Sequence, residues 1–345
     1  MKLGIHVGYV VNGDHLIDQL KTVQAAERLG YDSVWTAEAY GSDAATPLAW
    51  FAAQTERIKL GSAIFQIPGR TPANTAMTAS TIDCLSGGRF ILGLGSSGPQ
   101  VAEGWHGQPF AKQIQRTREY ITILRKMLAG ERVEFDGEIY KLPLPDGLGK
   151  PLKIMLRPVQ ERMPIYLAAI GPNNTALAGE LADGWLPYLY ATEHAATLNA
   201  NLLKGAERAG RSIDEIAVSP SVFVAAGNDD IAVLRDRIRP IVALYVGGMG
   251  ARGKNFYNAL VCSYGFEQQA KIIQDLYLDQ KYTEAGAAVP DELIDMVSMV
   301  GNRDQVADRV AAYRSAGVDN LLISPMAPDE DGRREILEMV AEAAS

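Results

Sequence analysis

The stretch Arg89–Pro99, RFILGLGSSGP, sets glycines at 93, 95 and 98 behind a short apolar run, formally the G-x-G-x-x-G spacing of a dinucleotide-binding turn. That chemistry needs the third glycine to open a helix and an acidic residue to close the next strand about 20 residues on. Here Pro99 and the Gly104–Gly107 stretch delay the helix, and Thr117-Arg118-Glu119, where the acid belongs, lies in a helical pattern. The glycines read better as a place where backbone passes close to a flat ligand or an anion, which the missing Cβ permits. A second such place is Pro172-Asn173-Asn174-Thr175, which has the composition of a helix N-terminus, whose free N–H groups favour an anion.

Titratable candidates are few. Glu38 falls at a predicted strand end, where desolvation beside an apolar ring would tighten its hold on a proton; a surface or capping glutamate is the alternative. In Leu3–Gly8, alternation turns positions 3, 5 and 7 toward the helices and Gly4, His6 and Gly8 toward the inside of a closed sheet. His6 there is either a functional group or a hydrogen-bonded core histidine. His106, in the loop GWHGQPF, either reaches the site or stays exposed, while His15 and His194 sit on helical patterns as solvated side chains. Ser96 and Ser97 are hydrogen-bond donors for a bound ring, or simply turn residues. Lys150, Lys153, Arg157 and Arg162 form a basic set that could meet an anionic tail or be a solvated rim; Arg252 and Lys254 are candidates for substrate contact. No Ser-His-Asp elbow, cysteine nucleophile or metal-ligand spacing stands out, so hydrolase and metalloenzyme chemistry are disfavoured and no metal is expected.

Eight apolar runs must position these groups, beginning near Leu3, Ser33, Ile58, Phe90, Pro164, Trp185, Ile216 and Asp319, and almost every one precedes a helical pattern. Thr46-Pro47 and Thr71-Pro72 pair a capping hydroxyl with a first-turn proline; Asn302 with Gln305 forms a capping box; Gly30 and Gly317 stop helices. Alternating units of this kind mean an α/β fold with a parallel sheet, and eight of them predict a (β/α)8 barrel. The expectation is one domain over 1–345 with insertions at about 131–163 and 247–299. The first insertion reads as a hairpin turning at Asp136-Gly137, and the second opens on a glycine-rich stretch. With 345 residues, 47% hydrophobic, and a net charge of −8, the chain argues against nucleic acid and anionic membrane surfaces. The lack of a secretory h-region or spanning apolar run makes it a cytoplasmic candidate, and Cys84 reads as a buried inert thiol.

Taken together, residues 31–50, 58–99, 104–110, 116–128, 163–187 and 302–325 resemble the bacterial luciferase-like superfamily, especially its deazaflavin (coenzyme F420)-dependent oxidoreductases. The block LSGGRFILGLG carries most of that resemblance. It implies the same TIM barrel with an insertion, and a non-proline cis peptide in the third strand behind the cofactor's central ring, here Ala63–Ile64 followed by Gln66. It also implies ring contacts at Gly95, Ser96, Ser97 and Gly98, phosphate-side contacts at Ala168, Ala169, Ile170, Gly171, Pro172 and Asn173, and a cofactor-side position for Glu38 and Ala39. The resemblance departs where relatives carry Asp-His at the end of strand two, matched here by Glu38-Ala39, and where some carry a glutamate, matched by Gly98. The function implied is hydride transfer between coenzyme F420 and a small organic substrate, with Glu38, His6 and His106 as catalytic candidates. A reduced-FMN monooxygenase and a non-catalytic flavin-binding protein are the alternatives, and a homodimer is compatible with all three.

Overall fold

Apolar runs alternate with amphipathic helices along the chain, and in space they close into a ring of parallel strands sheathed by those helices. The computed structural model describes residues 1–9 and 14–345. The ring starts with β1 (Lys2–Gly8), β2 (Ser33–Thr36), β3 (Lys59–Ser62), its continuation β4 (Phe65–Gln66), and β5 (Phe90–Gly95). A small antiparallel hairpin, β6 (Phe135–Asp136) with β7 (Lys141–Leu142), precedes β8 (Ile165–Ala168) and β9 (Gly184–Leu186). Then come β10 (Ala217–Val218), β11 (Ser221–Ala226), β12 (Ser298–Gly301) and β13 (Asn320–Pro325).

Closure is read from the pairing. β10 pairs with β9, β11 pairs with β13, and β13 pairs with β1, all parallel. Since β10 and β11 are one strand interrupted at Ser219-Pro220, where proline has no N–H to give the ladder, chain continuity joins the two ends. The barrel interior is filled by Trp35, Ile91, Tyr166, Leu186 and Leu322. Glycines make room for the two large rings: a Cβ on Gly61 would lie 2.2 Å from Trp35 and one on Gly184 2.6 Å from Tyr166. This packed plug blocks the barrel and floors the cavity above it, at the C-terminal strand ends where such barrels carry their chemistry.

Local signals largely hold. Thr71 caps the helix Pro72–Ser86, accepting from the Asn74 N–H, and Asn302 with Gln305 forms the capping box. At Thr46-Pro47 the acceptor is instead the Asp43 carboxylate, which takes the Thr46 N–H. The hairpin exists, with its turn over Gly137–Tyr140 centred two positions beyond the expected Asp136-Gly137. Cys84 is half-buried rather than enclosed, and its thiol meets the Arg157 carbonyl.

The second excursion differs from expectation. Helices begin already at Ile231, soon after β11, and its last residues form β12, which pairs alongside β11. Ser298–Gly301 follows the helix Asp291–Val297 without a break, so its four residues read as more of the helical pattern. These helices pack in an apolar cluster, including Leu234, Val242, Val261, Ile273, Leu293 and Val297, that they share with Phe223 and Ala225 of β11. No helix among the described residues is long and apolar enough to cross a membrane.

Candidate functional site

A cavity of ≈ 470 Å³ opens at the C-terminal ends of the strands. One wall is backbone and small side chains: Ala63 and Ile64 between β3 and β4, Gly95 to Gly98 at the end of β5, and Ala168 to Gly171 at the end of β8. The Ala63–Ile64 peptide is cis. A Cβ on Gly95 would stand 2.2 Å from the Ile64 Cδ1, so the missing side chain lets Ile64 lie against this segment as it does. Ser97 holds a left-handed backbone, φ 58°, which turns the loop along that surface.

At the far end of this wall the helix Pro172–Leu181 begins. Its first intrahelical bond runs from the Thr175 N–H to the Gly171 carbonyl at 2.9 Å, so the Asn173 and Asn174 N–H groups precede the ladder. Asn174 lines the cavity; Pro172 and Asn173 stand just behind it. The wall is therefore flat and apolar along its length and attractive to an anion at one end. A planar ring system with a phosphate tail fits it.

Glu38 is at the cavity edge, but its carboxylate is already engaged. Oε1 accepts from the Gln66 N–H (2.9 Å) and Arg70 Nε (3.0 Å); Oε2 accepts from Arg70 Nη2 (2.9 Å) and the Ala44 N–H (3.1 Å). Every partner is a donor, so a proton on either oxygen would displace one of them. Such a bidentate, hydrogen-bonded pair is a clamp, which corrects the expectation of a free acid. Arg70 also lies over the Phe65 ring at 4.4 Å.

His6 does face inward, half-buried against the cavity. Its Nε2 approaches the Ala63 carbonyl at 3.4 Å and its Nδ1 the Ser324 hydroxyl at 3.3 Å. Burial lowers its pKa, the Ala63 carbonyl opposing, and because a carbonyl only accepts, the Nε2 that meets it carries a proton. His106 lies off the cavity lining. Its Nε2 bonds the Gln66 Oε1 at 2.7 Å, and Gln66 Nε2 reaches the Ser97 hydroxyl at 3.3 Å, so His106 steadies the wall through Gln66.

The opposite wall is aromatic, and the sequence reading missed it. Tyr9, Tyr40, Tyr188, Tyr245, Tyr257 and Tyr277 all line the cavity, with Leu244, Met249 and Phe256 between them. Most come from the second excursion; the only hint was its glycine-rich start. Gly247 and Gly248 are needed because the Tyr277 side chain lies on their backbone, 2.5 Å from where a Cβ would be.

Two basic expectations are corrected. Asp183, just before β9, takes Arg125 and Arg162, and Arg157 bonds the Ala129 carbonyl past the end of the helix Gln113–Leu128. That is the N-terminal face of the barrel, because the helix returns the chain there before β8. Neither these arginines nor Lys150 and Lys153 line the cavity. Arg252 pairs with Asp275 and Asp279, and Lys254 also lies off the lining. No cluster of His, Cys, Asp and Glu among the described residues could hold a metal ion.

The description of the luciferase-like monooxygenase family matches residues 2–320. A protein of Mycobacterium tuberculosis with the provisional name coenzyme F420-dependent oxidoreductase is 43% identical, covering 94% of this chain and 95% of its own. A 5,10-methylenetetrahydromethanopterin reductase of Archaeoglobus fulgidus is 29% identical over 89% and 90% of the two chains. Among solved structures, the coenzyme F420-dependent tetrahydromethanopterin reductase of Methanopyrus kandleri shares the fold, with a TM-score of 0.84 at 24% identity over 99% and 97% of the chains.

Proposed function

The chain belongs to the luciferase-like monooxygenase family, and on that premise we propose that it is a coenzyme F420-dependent oxidoreductase moving a hydride between this deazaflavin and a small organic molecule. The observation that carries the reading is the flat wall of Ala63-Ile64, Gly95–Gly98 and Ala168–Gly171, ending at a helix N-terminus. The relative at 43% identity, named for the same cofactor, supports it. When bound, the deazaflavin would supply the hydride chemistry.

The protein's share is binding, orientation and exclusion of water. Ala63 and Ile64 would back the ring, Ser96 and Ser97 would follow its polar edge, and the Asn173 and Asn174 N–H groups would take the phosphate. His6 holds the Ala63 carbonyl, Glu38 with Arg70 holds Gln66, and His106 holds the Gln66 side chain, so each fixes the wall without entering the chemistry.

The family's description as monooxygenases makes reduced FMN the competing cofactor. Titrating both by absorbance and fluorescence decides between them: the reading expects the deazaflavin to bind more tightly, and tighter FMN binding would replace it with a monooxygenase. No lysine or arginine lines the cavity among the described residues, so both affinities should change little between 0.1 and 1 M salt, where the Debye length falls from about 10 to about 3 Å.

A further inference from the structure

The aromatic wall is built with more care than packing alone requires. Tyr188 and Tyr245 have ring centroids 4.5 Å apart, and Tyr245 and Tyr257 4.8 Å apart at 71°. Asn255, itself 5% exposed, fixes two of the three. Its Oδ1 accepts from the Tyr257 N–H at 2.9 Å, and its Nδ2 donates to the Tyr245 and Val246 carbonyls at 3.0 Å. Tyr245 sits in a π-helical turn, Leu244–Gly248, a distortion that recurs at functional sites. Tyr188 is tied through its backbone to Ser221 at the start of β11.

The hydroxyls are organised as well. The Tyr188 and Tyr245 phenols face each other across the 4.5 Å ring contact and are hydrogen-bond partners. Burial raises the pKa of both phenols, as it does that of Tyr257, and the Tyr188 bond works in the opposite direction on Tyr245. Among the described residues the one formally charged side chain lining the cavity, Glu38, is paired with Arg70. Such a wall would bury a charged substrate unpaired, which is costly, whereas it can stack a flat neutral one.

We propose that this wall binds a neutral conjugated carbonyl compound and that Tyr245 is the proton donor to its oxygen, with Tyr188 as the positioning residue behind it. The idea rests on the deazaflavin reading above. In the step, a hydride from the reduced deazaflavin forms a C–H bond at the substrate's electrophilic carbon, and the cofactor is left oxidised by two electrons. The displaced π pair moves to the carbonyl oxygen, which takes the Tyr245 proton. The resulting phenolate is held by the Tyr188 O–H until it regains a proton from solvent.

The test uses cinnamaldehyde and its carboxylate counterpart, cinnamate, with the full chain. On cofactor-free protein, with inorganic phosphate present to fill the helix start at Asn173–Asn174, calorimetry should show the aldehyde binding at least about tenfold more tightly. Its ultraviolet absorption should shift to longer wavelength on binding, and Tyr245→Phe, which keeps the ring, should abolish that shift. With reduced deazaflavin, Tyr245→Phe should lower kcat about 10²-fold or more, the scale of a lost proton donor, with KM within about tenfold. Tyr188→Phe should fall between the two, and unaltered thermal unfolding of both variants would exclude misfolding. Equal or tighter binding of cinnamate, or wild-type turnover by Tyr245→Phe, overturns the proposal. Failure of the deazaflavin to bind at all would overturn the cofactor reading instead, while the cofactor-free comparison still decides the substrate class.

Discussion

Replacing Glu38 by glutamine changes one oxygen into an NH2 group and leaves the shape alone, so it separates a clamp from an acid. In the wild type all four bonds to the carboxylate come from donors. Whichever way the amide turns, its NH2 faces one Arg70 nitrogen and one backbone N–H, and both bonds on that side are lost. The Arg70 guanidinium is also left without its counter-charge, and the two side chains are only 14% and 11% exposed. Breaking a buried pair by removing one partner costs about 3–5 kcal/mol; the two surviving bonds place this change near the lower end, about 3 kcal/mol. For a chain of this length that is a fall in Tm of about 4 °C. One orientation loses the bond from the Gln66 N–H beside the flat wall and the other the bond from the Ala44 N–H, and both loosen the Arg70 clamp that holds this segment, so deazaflavin affinity should drop with stability. Calorimetric unfolding and a cofactor titration on Glu38→Gln measure both. A Tm within about 1 °C of wild type, together with an unchanged cofactor Kd and a collapse in turnover, would refute the clamp and restore Glu38 as an acid.

Two further outcomes follow from the same wall. Burial lowers the His6 pKa from its ordinary 6.5, so as pH falls through that value the unfolded chain takes up a proton before the folded one does. Stability should therefore decline from about pH 6.5 down to the folded pKa, and His6→Asn should flatten Tm between pH 7 and 5; parallel curves for the two proteins would rule this out. Asn174→Asp places a negative charge in the first turn of the helix Pro172–Leu181, which favours the free protein by about 0.3–1 kcal/mol but repels a phosphate. Tm without cofactor should hold or rise while deazaflavin Kd weakens at least about tenfold, and an unchanged Kd would remove the helix start from the phosphate site.

Much of the cofactor wall could be read from the chain because its demands are local. Gly93 and Gly95 must be small where strands meet, Pro172 opens its helix, and Thr71 and Asn302 announce theirs, each within a few residues. The inward turn of His6 followed from strand alternation alone. Glu38 could not be understood that way, since its partner Arg70 is 32 positions on and the contact exists only once β2 and β3 have paired. The aromatic wall was hidden for a related reason: Tyr9, Tyr40, Tyr188, Tyr245, Tyr257 and Tyr277 come from several separate segments, and isolated tyrosines look like ordinary core. Arg157 and Arg162 went to the wrong end in the sequence reading because charge says nothing of the direction in which a helix returns the chain.

The barrel grips one side of the cavity, while much of the facing side hangs on the excursion between β11 and β13, whose apolar cluster meets the barrel at Phe223 and Ala225. Such a division makes the excursion exchangeable. Transplanting the corresponding segment from a relative would set a new facing side against an unchanged flat wall, and drift within Leu244–Tyr277 could diversify what the enzyme accepts without renegotiating the glycines beneath. The seam to respect in any such graft is the contact where Gly247 and Gly248 lie flat under Tyr277, because both sides of it must arrive together.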